Sequence, residues 1–247
     1  MKKYCIAFLS IFLLFYIEYT LAANNINFQE AKKQARIIWN AHRITVYCGC
    51  KYDKHLIVDH KSCHYTPGDS KRAKRVEWEH IVPVSRFGAQ RVCWQKKLCK
   101  KKNRKKFKGR NCCELIDKQF REMYTDLHNL VPVIGEVNQA RKNYHFDEDY
   151  PGIDLDAVNF HGCKIAISDR YFTVVPKDET RGLIARAYLY MADRYSIELS
   201  THEVALFMRW HAIFPPSAWE IEWNNKIHQI QRKNNRFISD YYNAKND

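Results

Sequence analysis

The heptapeptide Glu77-Trp78-Glu79-His80-Ile81-Val82-Pro83 sets two carboxylates and an imidazole inside a run that otherwise has the composition of a strand. A second polar knot, Asp126-Leu127-His128-Asn129-Leu130-Val131-Pro132, is likewise framed by apolar residues and stopped by a proline. A histidine, with an unperturbed pKa of about 6.5, is poised to take a proton from water near neutral pH. Carboxylate and amide oxygens suit a hard divalent cation, and Mg²⁺ keeps several waters and so needs only one or two protein oxygens. These are the parts that phosphodiester hydrolysis requires: a base for the attacking water, and a cation to stabilise charge on the phosphoryl and leaving oxygens. The two knots are therefore expected to meet and to hold one hard metal ion.

The elements that would position them follow from the flanking residues. Val76, Trp78 and Val82 favour extended chain, and Pro83, which lacks an N–H, closes the run. In a regular strand Glu79 and His80 point to opposite faces. They can serve one site only if the backbone bends there or the site wraps the strand end. Upstream, Phe28, Ala31, Ala35, Ile38, Trp39 and His42 recur at helical spacing, which predicts a helix over 28–42. Residues 46–65 read as short strands and turns, and Pro67-Gly68-Asp69 as a turn. Beyond the second knot the pattern predicts a helix over 134–142, a polar, turn-rich stretch over 147–162, and a strand over 165–175 ended by Pro176. Three helices are then expected, over 179–195, 200–214 and 218–236. The second of them opens on Ser200 and Glu203, spaced as a capping box. No repeat or linker-like composition break divides the chain, so the expected fold is a single α+β domain, mostly helical.

The 247 residues carry a formal net charge of +14 and are 46% hydrophobic, which describes a folded basic protein with anionic partners: nucleic acid, an acidic membrane surface or a polyanionic glycan. A cationic exported protein with no polyanion substrate fits the charge equally well. Lys2 and Lys3 precede an apolar run over 4–17, followed by Glu18 and the small pair Ala22 and Ala23. The run is shorter than the roughly 20 residues of a membrane span, so residues 1–23 read as a cleaved signal peptide and 24–247 as the exported domain. The protein would be periplasmic or secreted, without a transmembrane span. Eight cysteines remain after the leader: Cys48, Cys50, Cys63, Cys93, Cys99, Cys112, Cys113 and Cys163. An even number in an exported chain predicts disulfides, although eight cysteines allow on the order of a hundred pairings. The neighbours Cys112 and Cys113 should have different partners. The rival is a zinc site on Cys48, Cys50, Cys63 and His64.

Ten of the fifteen residues over 96–110 are Lys or Arg. Such a run repels itself as a compact element and is read as an exposed loop pinned by disulfides. It is either a solvated loop with no specific role, a contact for membrane or lipopolysaccharide, or a landing strip for phosphate backbones through Lys100, Lys101, Lys102, Arg104, Lys105, Lys106 and Lys108.

The two knots, together with Gly135-Glu136-Val137-Asn138, resemble the bacterial endonuclease I family, exported nucleases that cut DNA and RNA without sequence preference. The resemblance continues through Cys48-Gly49-Cys50, Phe87-Gly88, Cys93-Trp94-Gln95 and Arg181-Gly182-Leu183-Ile184-Ala185-Arg186. It covers nearly all of the chain beyond the leader, in the same order. It implies a ββα-metal (His-Me finger) motif set among helices. It also implies that His80 activates the attacking water, that Glu79 and Asn129 hold a single Mg²⁺ (with Mn²⁺ or Ca²⁺ able to substitute), and that products carry 5′-phosphate and 3′-hydroxyl ends. The family's phosphate-stabilising arginine falls on Arg110 in Gly109-Arg110-Asn111-Cys112-Cys113. The basic stretch is longer here than the family pattern, which leaves Lys108 and Arg104 as alternatives. Asp126 and His128 are expected to support the metal ligand, Glu136 and Asn138 to orient the motif's helix, and Glu77 either to lie beside the ligands or to form a surface ion pair. Arg181 and Arg186 would touch phosphates or pair with acids. Double- and single-stranded DNA and RNA are the implied partners of a monomeric enzyme, with little base selectivity because phosphate contacts carry little sequence information. The rival functions are a basic binding module without turnover and a structural zinc protein.

Overall fold

The computed structural model describes residues 26–153 and 159–243, so the signal peptide expected over 1–23, and part of the turn-rich stretch over 147–162, lie outside the described residues. The two knots do meet. Strand β1 (Val76–His80) pairs antiparallel with the strand of the second knot, Leu130–Ile134, in the register Glu77↔Val133, Glu79↔Val131 and His80↔Leu130. All five residues of that second strand are buried, as a short continuous apolar run predicts. Its central Pro132 is tolerated because the ribbon has only two strands: the residue has no N–H to offer, and its carbonyl accepts from Val46 at 2.9 Å.

In chain order, helix α1 (Phe28–Trp39) precedes β1, and α2 (Val84–Gly88) and α3 (Val92–Gln95) follow it. The basic stretch forms a small hairpin, β2 (Cys99–Lys100) with β3 (Lys106–Phe107), before α4 (Arg110–Ile116) and α5 (Lys118–Tyr124). The strand of the second knot is β4, and α6 (Gly135–Arg141) starts directly after its last residue, which completes a β1–β4–α6 unit. A three-stranded sheet combines β5 (His145–Phe146), β6 (Ile165–Ser168) and β7 (Thr173–Pro176) in the order β5-β7-β6. Four helices close the chain: α7 (Asp178–Tyr195), α8 (Thr201–Ile213), α9 (Ala218–Gln231) and α10 (Arg236–Asn243). This is the expected mixed, largely helical α+β domain.

Helix α1 starts where Asn27 caps the N–H of Glu30 at 3.0 Å, and it buries Ala31, Ala35, Ile38 and Trp39. Trp39 meets Trp219 and Trp223 of α9, with centroids 5.3 and 5.8 Å apart. That packing fixes the helix so that Phe28, at its first turn, reaches β1. The capping box at Ser200 forms as expected, with the Ser200 and Glu203 side chains each bonding the other's backbone N–H. Among the described residues no helix is long and apolar enough to cross a membrane.

Two expected elements divide. The strand over 165–175 is instead the β6–β7 hairpin, because Phe172 takes a left-handed conformation (φ 52°) and returns the chain. The last helix stops at Gln231 rather than running to residue 236. Arg232 enters the left-handed region (φ 56°), and Asn224 accepts the N–H of Asn235, whose own amide donates to the Arg186 carbonyl. Side-chain amides that capture backbone groups in this way outcompete a continuing helix.

The cysteines pair as Cys48–Cys163, Cys50–Cys63, Cys93–Cys113 and Cys99–Cys112. Cys112 and Cys113 thus take different partners, and the thiolates that a zinc site on Cys48, Cys50, Cys63 and His64 would need are consumed. Two of the bridges fasten the basic hairpin and α4 to α3.

Candidate active site

Strand β1 ends at His80, and the chain turns at Ile81 and Val82 before Pro83 opens α2. Asn129 holds the turn: its Oδ1 accepts from the Val82 N–H (2.7 Å), its Nδ2 donates to the Val82 carbonyl (3.0 Å), and its own carbonyl accepts from the Ile81 N–H (3.1 Å). The site wraps the strand end, so Glu79 and His80, adjacent in sequence, both line one cleft of about 540 Å³. Phe28, Trp94, Arg72, Arg110, Asn138 and Arg141 line it too.

His80 stacks on Tyr124 (centroids 5.1 Å apart, rings 8° from parallel) and on Phe28 at 5.2 Å. Its Nε2 lies 2.9 Å from the Tyr124 carbonyl. A carbonyl only accepts, so Nε2 carries the proton and Nδ1 keeps its lone pair. Burial pushes the imidazole pKa down to about 4, with Arg110 and Arg141 reinforcing the shift and the Tyr124 carbonyl opposing it. His80 is therefore neutral at pH 7.

Glu79 is buried, and its Oε1 accepts from Nη1 of Arg141 at 2.7 Å. Burial raises its carboxyl to about 7 and Arg141 pulls it back. The same guanidinium donates to the His80 and Ile81 carbonyls at 3.1 and 2.6 Å, so one buried arginine braces both the carboxylate and the turn. Asn138 and Arg141 stand three residues apart on α6 and hence on one face. The amide nitrogen of Asn138 bonds Glu77 at 3.3 Å, and Glu77 is itself clasped by Arg72 and Arg75. Gly135 allows α6 to come this close: a Cβ there would stand 2.7 Å from the Arg72 carbonyl and 2.8 Å from the Glu77 carboxylate. Gly88 does the same for Trp94, whose ring occupies the space a Cβ would take.

Arg110 is the first residue of α4, exposed, with its guanidinium 5.9 Å from the centroid of the Tyr124 ring. Of the three candidates for the phosphate role it alone lines the cleft. Lys108 reaches the Gln95 carbonyl at 3.1 Å, and Arg104 sits in the hairpin turn. Lys100, Lys101, Lys102, Lys105 and Lys106 are exposed along the same hairpin.

Several expected site residues lie elsewhere. Asn129 is fully buried with both amide atoms engaged by Val82, so it shapes the strand end and does not face the cleft. Asp126 and His128 form a buried network with Tyr190, Tyr195, Lys233 and Asn224 rather than flanking a ligand. Glu136 anchors the preceding loop by accepting from the Tyr65 hydroxyl (2.6 Å) and the Gly68 N–H (3.1 Å). Arg186 is buried against Glu220 (2.7 Å), where no phosphate can reach it, because its helix faces α9. Arg181 pairs with Asp178 and covers Trp210.

A family model described as Endonuclease I matches residues 20–241. The chain belongs to the endonuclease I family. An "Extracellular deoxyribonuclease" and a "Periplasmic deoxyribonuclease" of Aeromonas hydrophila are 38% and 37% identical to it over 223 and 217 residues, 87% and 85% of this chain and 90% and 84% of theirs. An "Endonuclease-1" of Buchnera aphidicola subsp. Acyrthosiphon pisum is 37% identical over 216 residues, 86% of this chain and 80% of its own. As an endonuclease I family member the protein is a hydrolase acting on nucleic acid. Sequence reading missed Arg141, Arg72 and Phe28 as parts of the site. For Arg141 the signal was present: the helix expected over 134–142 already placed it on the face of Asn138.

Proposed function

We propose that this chain is an exported, sequence-non-specific deoxyribonuclease that also accepts RNA and acts as a monomer, with His80 as general base and with Glu79 and Asn138 as the protein ligands of one hard divalent cation. The observation that carries the reading is the convergence of His80, Glu79, Asn138 and Arg110 on one cleft. Export and DNA as substrate are supported by the relatives whose names describe extracellular and periplasmic deoxyribonucleases. The donor set fits a hard cation: both groups present oxygen, Arg141 occupies only Oε1 of Glu79, and Glu77 occupies only the amide nitrogen of Asn138. Mg²⁺ bound there, or Mn²⁺ or Ca²⁺ in its place, would supply charge stabilisation for the phosphate and for the leaving 3′ oxygen.

The protein's own groups do the rest. Nδ1 of His80 takes a proton from a water as the water oxygen attacks phosphorus. The phosphorus–O3′ bond breaks and the departing O3′ takes a proton from solvent, leaving a 5′-phosphate and a 3′-hydroxyl. Arg110, beside the Tyr124 ring on which His80 stacks, donates to a non-bridging oxygen. The hairpin beside α4 adds exposed cations that hold the backbone without reading bases.

Two asparagine variants separate this ligand set from the one centred on Asn129. Asn138→Ala should lower turnover and raise the Mg²⁺ concentration needed for half-maximal rate, roughly tenfold or more, with little change in Tm. Asn129→Ala should instead lower Tm, because it leaves the Val82 N–H and carbonyl without their buried partner. The reverse pattern would return the ligand role to Asn129. The reading as a whole is tested by nicking of supercoiled plasmid with oxidatively folded protein. Cleavage with Mg²⁺ that stops in EDTA is expected, whereas salt-sensitive binding without cleavage in any divalent ion would make the protein a binding module.

A further inference from the structure

A second cavity, of about 490 Å³, opens beside the catalytic cleft and shares two of its walls, Phe28 and Trp78. Leu56 and Val76 make its lining apolar, while Lys32, Arg36 and Arg75 supply cations. The one carboxylate that lines it, Glu77, is covered by Arg72 and Arg75. Lys32 and Arg36 stand four residues apart on α1. Lys32 lies 5.2 Å from the centroid of the Phe28 ring, and Arg36 donates to the Lys54 carbonyl. Among the described residues neither forms an ion pair with a carboxylate, and no aromatic ring stacks on Trp78, which is half-buried. Nothing in the catalytic chemistry uses these groups.

We propose that this groove binds the nucleotide next to the scissile phosphate, with its base against Trp78 and its phosphate against Lys32 and Arg36. The proposal rests on the reading of the adjoining cleft as a nuclease site. An aromatic face beside cations is how single strands are held without sequence preference, since every base has a π-face and every linkage a charge. The volume lies within the range of ligand sites, about 300–1,000 Å³. The shared walls make the path continuous: a strand whose phosphate lies between His80 and Arg110 passes Trp78 into the groove. Because a base can stack there only when it is out of the duplex, the groove should matter most for single-stranded substrate and for ends.

The test measures binding of a fluorescein-labelled oligothymidylate in EDTA, in the His80→Ala background, as a function of salt. Lys32→Ala with Arg36→Ala should weaken binding roughly tenfold or more at 0.1 M salt and make the slope of log K against log salt shallower by about 1.4, the share of two phosphates on a single strand. The matched pair Lys164→Ala with Arg170→Ala removes two exposed cations that line neither cavity, and should change both quantities far less. A base-specific contact is read by photo-cross-linking 5-iodouracil in the same oligonucleotide, which should attach to the peptide containing Trp78. Equal losses from the two variant pairs would reduce the effect to net charge and overturn the groove, as would a cross-link confined to other peptides. A wild-type protein that cuts plasmid while the Lys32/Arg36 variant binds as before sinks the groove alone. Groove-dependent binding with no cleavage sinks the nuclease reading alone.

Discussion

Replacing His80 with alanine should reduce plasmid cleavage by about 10²–10⁴-fold at saturating Mg²⁺, the usual contribution of a positioned general base, while DNA affinity changes little. The expectation follows from the tautomer. Nε2 is committed to the Tyr124 carbonyl, so the only basic nitrogen is Nδ1, and the depressed pKa keeps that lone pair free at neutral pH. The surroundings also argue that the loss will be chemical rather than structural. His80 packs against Tyr124 and Phe28, whose rings stack on each other 4.5 Å apart without it, and Phe28 is further held by α1 and Tyr124 by its packing on Phe120. Single-turnover cleavage and filter binding on identically purified proteins measure the two quantities apart. A variant that cuts at the wild-type rate would remove the general-base assignment. One that loses binding as steeply as cleavage would make His80 a structural residue.

How far the site could be read from the chain depended on whether its parts were local. Glu79, His80 and Arg110, which line the cleft, each sit in a compact motif whose residue types are costly to keep for packing alone. Asn129 stands apart from the cleft for an instructive reason. It lies in a polar knot beside a histidine, as a ligand would, yet its amide is bidentate to the backbone of Val82, forty-seven residues earlier. Such pairing is a tertiary fact that no local pattern reports. Asn138 has the opposite history. On the helix it looked like a supporting residue, and only the pairing of β1 with β4, followed without a gap by α6, carries it to the cleft. Arg186, expected either to touch phosphates or to pair with an acid, does the latter, and the choice was not local: periodicity places it on α7, but that helix is largely buried, and Glu220 comes from α9. The β6–β7 reversal and the end of α9 were hidden because non-glycine residues, Phe172 and Arg232, take left-handed conformations that composition does not announce.

Removal of the Asp126 carboxylate should cost about 3–5 kcal/mol of stability without directly touching the chemistry, because it breaks a buried charge network and leaves its partners stranded. Asp126 has no exposed surface. It accepts from the hydroxyls of Tyr195 (2.6 Å) and Tyr190 (3.0 Å), from Nζ of Lys233 (2.9 Å) and from the His128 N–H (3.0 Å). Burial alone would push its carboxyl up, but Lys233, His128 and Tyr195 outweigh burial and hold it far below the usual carboxylate range. A carboxyl whose folded pKa is depressed contributes stability that is fully present above its unfolded value of about 3.9 and is lost as pH falls through the folded value. Urea unfolding of Asp126→Asn and of the parent should therefore show a gap that is constant from pH 5 to 7 and that narrows by about 1.4 kcal/mol per pH unit below pH 4. A gap that stays the same at pH 3 would mean the carboxylate is not the source of the stability. The same variant separates two roles for the second knot. Asp126 opens the turn that carries His128 and Asn129 into β4, so it acts on the cleft through the register of the β1–β4 ribbon. Well below its lowered Tm, Asp126→Asn should keep the parent's Mg²⁺ dependence. A shifted Mg²⁺ requirement in the folded variant would instead place Asp126 in direct support of the cation.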